Sequence, residues 1–499
     1  MVRGKYAVES SLALLFFLVF AIYALALPLY LIPSHFPRSY NEGWNAYHAA
    51  AAMSGGGLYP PADSMLANNY PPLSFYLVGI VGKIVGDYIV AGRLISVISL
   101  GIVTYNVFRL CQWLGAGKSL AAVGAGAFLM EIATLSATYI AMDDPQFLAH
   151  AFITSAAVIF LNASPQLGSR MLLAATLVVA GGLVKHNVVS LPLALCTWAA
   201  FYDRKRLYIF LLWLFAIGSI ALALLYGMWG RILVDSVLFH ARVTTMERAV
   251  KISLGLLPRL VPLMLLTIGA CIWLRSSRQS LFLLAYFLWA SVTSFLMLSG
   301  DGVILNIIFD VVIAIVIGSV AFVFALEKKE GHNSEYSAML RKGALLTLAL
   351  SALGFYFAQP KQQHFLSKSV ETLNYAREWS ALADRLARTN GPVACEMLSI
   401  CYWAQKPPEV DFFNYSQKVK TGRISDSEFR DKLHSHYYRF VLIELLFKNP
   451  TTRLPREIEE QLFLNYEPVW LVAGGSGLLL APLPQSLDEL DKAESANSP

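Results

Sequence analysis

Apolar residues run along this chain in long blocks, and the polar residues between them are short and charged. From Ser11 to Leu31 the chain is apolar and carries no charge, enough for one helix to cross a hydrocarbon layer of roughly 30 Å. The run exceeds a secretory h-region, so it predicts an uncleaved anchor although Ala24-Leu25-Ala26 resembles a cleavage site. Residues 71–86, PPLSFYLVGIVGKIVG, are shorter, contain Lys83 and stop at Gly86-Asp87; they predict an interfacial helix opened by Pro71 and Pro72. Further blocks at 89–110, 120–140, 147–163, 171–184, 187–202, 207–226, before Arg275, at 280–298, 303–325 and 343–358 predict ten more crossings. The stretch 171–202 also reads as one long kinked helix.

Charge orients these crossings. Arg3 and Lys5 precede the first, and Lys118, the run Asp203-Arg204-Lys205-Arg206, Arg275 with Arg278, and Arg341-Lys342 recur on that same side. An excess of Lys and Arg marks the cytoplasmic side, which places Glu42 outside. From Gln359 the composition turns soluble: a helical stretch at 370–388, a β-like run at 392–395, helical segments near 414–435, and strand-like runs at 439–443 and 467–481. The expected fold is a polytopic α-helical membrane protein with about eleven transmembrane helices and interfacial helices in the first outer loop. A small extracytoplasmic α/β domain follows, with boundaries at 1–358 and 359–499.

Composition agrees. Hydrophobic residues make up 56% of the 499 and charged ones 14%, with a mean hydropathy of +0.54, which excludes a soluble globular chain. The net charge of +6 sits in loops as an orientation signal, so nucleic acid is not an expected partner. Cys111, Cys196 and Cys271 lie in or beside apolar blocks, whereas Cys395 and Cys401 fall in the soluble part, where an extracytoplasmic setting would permit a disulfide. That part carries no nucleophile elbow, P-loop or zinc spacing, and Asn414-Tyr415-Ser416 fits a glycosylation acceptor.

Outward-facing chemistry starts with Glu42, in Asn41-Glu42-Gly43-Trp44, ahead of an Ala-rich helical segment and the glycines at 55–57. It reads equally as a first-turn acid facing the helix dipole and as a reactive carboxylate. Asp143 and Asp144 form an acidic pair at a span end, where Pro145 opens the next helix and one Asp can cap it. Lys185 and His186 follow the fifth span, and the loop Gly227–Ser253 carries Arg231, His240, Arg242, Arg248 and Lys251. Outer cations usually serve solvent or lipid headgroups. Beside outer acids, they also suit group transfer from a phosphate-linked donor.

In this order the features resemble the GT-C superfamily of polyprenyl-phosphate-sugar-dependent glycosyltransferases, in the branch of protein O-mannosyltransferases, lipid A aminoarabinose transferases and rhizobial galacturonosyltransferases. The resemblance rests on NEGWNAYHAA after the first span, YPPLSFY, GRLIS at the next span, Asp-Pro after the third and GLVKH near the fifth, and covers roughly residues 10–320. It implies Glu42 as general base, a second carboxylate at Asp143 or Asp144, and donor-phosphate ligands at His240 and Arg242, to which the outer cation Lys185 is added as a further expected ligand. Two departures stand out. Asn41 sits beside Glu42 where many relatives have an acidic pair, and Asn69-Tyr70 precede the prolines where aminoarabinose transferases have Glu-Lys, which argues against aminoarabinose as the sugar.

The expected reaction is attack of an acceptor hydroxyl on the anomeric carbon, with Glu42 taking the proton and cations stabilising the leaving polyprenyl phosphate, giving inversion. Expected partners are the polyprenyl-phosphate sugar, a lipid, glycan or protein acceptor, and membrane lipids, at the inner (plasma) membrane with the active site periplasmic. No cofactor is certain; the carboxylates are compatible with a divalent metal and do not establish one. A transporter or flippase of lipid-linked sugars is the rival reading, disfavoured by the absence of an obvious internal repeat and by few ionisable groups at mid-span. A polysaccharide polymerase or ligase is the third.

Overall fold

A computed structural model describes residues 2–55, 57–163, 167–275, 277–329, 334–358, 367–445, 453–472 and 475–484. The chain folds into two compact units. The first comprises residues 1–33, 48–59 and 68–369; the second takes 34–47 and 60–67 from the first loop together with 370–499.

The first unit is a helical bundle. Its helices are α1 (Val2–Tyr30), the second half of α2 (Tyr40–Ser54), α3 (Leu73–Val85), α4 (Tyr88–Trp113), α5 (Lys118–Leu135), α6 (Gln146–Leu161) and α7 (Leu167–Val184). They continue as α8 (Ser190–Tyr202), α9 (Arg204–Trp229), α10 (Arg231–Val237), α11 (Met246–Trp273), α12 (Arg278–Met297), α13 (Phe309–Lys329) and α14 (Ser334–Ala358). Among the described residues eight helices are long and apolar enough to cross a membrane, and this is a multi-pass membrane protein. The blocks expected at 147–163 and 187–202 form α6 and α8, of 16 and 13 residues. The stretch 171–202 is two helices, broken between Val184 and Ser190. Ser253, expected in a loop, lies inside α11, and α10 occupies part of that loop.

Burial sorts the spans. The apolar window of α13 is 89% buried, whereas that of α9 is 6% buried; α13 packs on α4, α5, α11, α12 and α14 as the bundle's core, and α9 turns its apolar surface outward, as a lipid-facing helix does. Local chemistry ends the helices where the sequence expects. Gly86, at φ 88°, closes α3 in a left-handed conformation that only Gly adopts without cost. Asp87 then caps α4 by accepting from the amides of Ile89 (2.7 Å) and Val90 (3.1 Å). Two buried arginines cap carbonyl ends of other helices. Arg93, of the GRLIS motif, donates from Nη1 to the carbonyls of Leu31 and Ile32 just past α1, and Arg206 donates to those of Phe160, Leu161 and Ala163 at the end of α6.

The second unit contains a four-stranded sheet of β1 (Val393–Cys395), β2 (Phe440–Glu444), β3 (Tyr466–Val472) and β4 (Gly477–Pro482), in the order β1-β2-β4-β3. The β1–β2 pair is parallel and the other two are antiparallel. The β-like runs expected near 392, 439 and 467–481 are these strands. Cys395 and Cys401 form a disulfide joining the end of β1 to the helix Leu398–Trp403. Loop residues from the N-terminal part belong to this core: Met65 packs among Val410, Phe412 and Tyr415, and Phe36 and Tyr40 pack near Trp379 and Cys395. The Lys418 ammonium donates to the carbonyls of Ala62 (3.1 Å), Ser64 (2.7 Å) and Leu66 (2.9 Å), which pins that loop. Asn414 is buried and donates to Asp411 Oδ2. The sequon asparagine therefore serves a helix start and does not stand out for a glycan.

Candidate active site

Helix termini of the first unit gather several of the expected residues. The turn Ala141-Met142-Asp143-Asp144 leads into α6, and Ala141 is left-handed at φ 53°. Oδ1 of Asp144 accepts from the Gln146 amide at 2.8 Å, so Asp144 is the member of the acidic pair that caps. The same oxygen lies 3.4 Å from Nζ of Lys185, which follows the last turn of α7. Both side chains are buried. Oδ2 of Asp144 is buried and has no hydrogen-bond partner among the described residues. Asp143, also buried, stands against the backbone of Gly92 in α4.

Lys185 also meets Tyr70, its Nζ 4.8 Å from the ring centre. Burial works against the ammonium, but Asp144 and Tyr70 outweigh it and hold the Lys185 pKa above its ordinary range. Tyr70 is itself fixed: its amide donates to Asn68 Oδ1 and its carbonyl accepts from the Tyr59 hydroxyl. The break between α7 and α8 then exposes His186, whose ring lies 6.4 Å from that of His240. His186 is open at the surface yet crowded by its neighbours. The protein crowded around this surface ring keeps water from part of it, and that desolvation first, then the charges of His240, Lys185 and Arg242, push its pKa down to about 4.

His240 and Arg242 come from the segment between α10 and α11. That segment is pinned to the loop after α12: Thr244 bridges to Gly300, and Arg242 Nη1 donates to the Asp301 carbonyl at 2.6 Å. His240 Nδ1 lies 3.2 Å from the Val237 carbonyl. Arg248 donates to the carbonyls of Leu298 and Val303 and serves the loop. Arg231 is a surface residue paired with Asp235 within α10.

A buried polar network fixes the start of α6. Gln146 Oε1 accepts from Asn306 Nδ2 at 3.2 Å, His150 Nε2 lies 3.7 Å from Asp310 Oδ1, and the Tyr286 hydroxyl donates to that same oxygen at 2.7 Å. These contacts tie α6 to α12, α13 and the 3-10 turn Leu305–Ile308, and so set where the Gln146 amide holds Asp144. Among the described residues no three His, Cys, Asp or Glu side chains gather as metal ligands.

No known family profile matches this chain, and no curated protein sequence does. Solved structures match it in fold. ArnT from Cupriavidus metallidurans in the apo state aligns with a TM-score of 0.55 at 13% identity, over 97% of this chain and 100% of that one. The same protein bound to undecaprenyl phosphate aligns at 0.57 and 12% identity, over 95% and 98%. The arabinofuranosyltransferase AftD from Mycobacteria gives 0.51 and 14% identity, over 94% of this chain and 40% of that one. The fold is the GT-C fold.

Within the GT-C fold of this chain, the expected residues fall into two groups. Asp144, Lys185, His240 and Arg242 belong to the first unit and are linked there through Tyr70 and His186. Glu42 belongs to the second unit, at the start of α2. It is buried, and its Oε2 accepts from the Arg38 amide at 2.9 Å, an N-terminal capping bond. Beside it, Gly43 packs so closely on the Leu398–Ser399 backbone that an ideal Cβ would lie 2.0 Å from the Ser399 nitrogen. The Gln146–His150–Asp310 network is the contributor that the sequence did not single out, and Tyr70, noted there only as a departure from Glu-Lys, gains a role as the partner of Lys185. Tyr70 opens the motif YPPLSFY, whereas nothing in the sequence pairs Asp310 with the distant His150.

Proposed function

We propose that this chain transfers a sugar from a polyprenyl-phosphate donor to an acceptor hydroxyl on the extracytoplasmic face of the plasma membrane. The observation that supports the reading most is the gathering of Lys185, His240 and Arg242 around His186, beside a buried carboxylate, in a GT-C fold. ArnT, which shares the fold, has been solved with undecaprenyl phosphate. A phosphate held by Lys185, His240 and Arg242 gains charge as its bond to the sugar breaks, so these cations stabilise the transition state more than the bound donor.

Asp144 is the carboxylate assigned to the hydroxyl. Its Oδ1 is occupied by the Gln146 amide and Lys185, which leaves Oδ2 as a buried acceptor awaiting a donor. In the reaction the acceptor oxygen bonds to the anomeric carbon, the carbon–oxygen bond to phosphate breaks, the electron pair leaves with the phosphate, and the hydroxyl proton passes to Asp144. Attack opposite the leaving group gives inversion. The aminoarabinose transferases carry Glu-Lys where this chain has Asn69-Tyr70. Here Tyr70 is met by Lys185 from another loop, so a cation reaches that position by a different route.

Purified protein incubated with a radiolabelled polyprenyl-phosphate sugar and candidate acceptors should release polyprenyl phosphate and label the acceptor. Asp144→Asn should lower turnover on the order of 10²-fold or more with donor binding kept. Movement of the intact donor between leaflets, without transfer, would overturn the reading in favour of a flippase.

A further inference from the structure

Three of the four cationic or ionisable groups around the proposed phosphate seat are anchored. Lys185 is held by Asp144 and Tyr70, Arg242 by the Asp301 carbonyl, and His240 by the Val237 carbonyl. Among the described residues no hydrogen bond reaches His186, whose ring is exposed at the break between α7 and α8. The groups that face it are Lys185 from its own turn, with Asp144 and Tyr70 behind that ammonium, and His240 and Arg242 from the segment before α11. All three of its direct electrostatic neighbours bear or can bear positive charge. His186 is the imidazole of the cluster that no protein group holds by a hydrogen bond among the described residues. A contact from His240 Nδ1 to a carbonyl does not fix the proton count of that ring, and the comparison with His186→Gln below separates the two.

The chemistry of the proposed reaction changes that occupant's charge. A sugar-linked polyprenyl phosphate is a phosphodiester with one negative charge. The product is a monoester, which carries close to two at neutral pH because its second pKa is about 6. An anion beside an imidazole favours the imidazolium, and the second charge strengthens that preference. Resting on the transferase reading, we propose that His186 takes up one proton from solvent when a phosphate monoester occupies the seat formed with Lys185, His240 and Arg242, and then donates a charge-assisted hydrogen bond to it. His186 in this role recognises the departing phosphate in preference to the intact donor. With no anion beside it, loss of water around the ring first and then the charges of His240, Lys185 and Arg242 push its pKa down to about 4, so the proton arrives with the ligand.

Isothermal titration of the full-length protein in detergent with a short polyprenyl monophosphate, at pH 7 in buffers of different ionisation enthalpy, counts the protons. Wild type should take up about one proton per phosphate bound. His186→Gln should take up almost none and bind about tenfold more weakly, the loss of one charge-assisted bond, while keeping wild-type thermal stability at pH 7. Inorganic phosphate run in parallel assigns the source: uptake with both ligands places recognition on the phosphate group, and uptake with the lipid alone requires the phosphate to be delivered on its chain; either supports the inference. Binding without proton uptake, or equal uptake in His186→Gln, would overturn it and leave the transferase reading standing. Failure of wild type to bind any polyprenyl monophosphate would overturn that reading and the inference with it.

Discussion

The backbone of Gly92 lies so close to the Asp143 carboxylate that an ideal Cβ at position 92 would stand 1.9 Å from Oδ1. The Gly of the GRLIS motif is therefore explained by packing: α4 can approach the acidic turn before α6 only where a side chain is missing. Its neighbour Arg93 holds the carbonyls that follow α1, so two consecutive residues of α4 tie together the end of α1 and the start of α6.

Gly92→Ala should move the acidic turn. Overpacking of this kind costs about 1–3 kcal/mol, and transfer should fall with stability because Asp144 follows directly. Melting curves of Gly92→Ala and of Gly92→Ala with Asp143→Ala check the contact. If removing Asp143 restores none of the lost stability, the clash is with something else.

Lys185 and Asp144 are both buried at 3.4 Å, so removing either alone leaves a buried charge without its partner. Lys185→Met should destabilise by about 3–5 kcal/mol, and Lys185→Met combined with Asp144→Asn by less than the sum of the single losses. Denaturant or thermal midpoints of the four proteins measure the coupling. Strict additivity would show that the pair is not energetically linked.

Glu42→Gln separates a capping role from a base. Gln keeps an oxygen for the Arg38 amide, so stability should fall by at most about 1 kcal/mol and transfer should persist. Loss of turnover on the order of 10²-fold at unchanged stability would instead assign the general base to Glu42, as the family resemblance implies.

His186 gives stability a pH dependence with a defined sign. Its folded pKa of about 4 lies below the ordinary 6.5, so between these values the unfolded chain binds more protons. Stability should fall as pH drops from 6.5 towards 4 and be free of this contribution above 6.5. The difference in melting temperature between wild type and His186→Gln, followed across that window, isolates the effect; parallel curves would contradict it.

In the second unit, Lys418→Met should release the loop at 60–67. Three carbonyls lose a charged donor at once, each such bond contributing about 1.5–3 kcal/mol. Hydrogen exchange at residues 60–67 should accelerate while the strand β2 stays protected. Unchanged exchange would show that Met65 packing alone holds the loop.

The membrane class, the long apolar helices and the strands were legible because they depend on runs: about twenty apolar residues need a bilayer, and period-two apolar runs bounded by Gly and Pro need a sheet. Of the eleven crossings expected, eight helices among the described residues are long and apolar enough. Asp143, Asp144, Lys185, His240 and Arg242 were legible as candidates because a charge at a span end is exceptional in so apolar a chain. Tertiary structure decided which of them meet. Nothing local says that Asp144 caps α6 and also pairs with Lys185, that Arg248 serves a loop while Arg242 stands near His186, or that residues 34–47 and 60–67 pack with a domain that begins at residue 370. Those outcomes follow from helix packing, which brings helix ends together irrespective of sequence distance and leaves each buried polar group to find a partner.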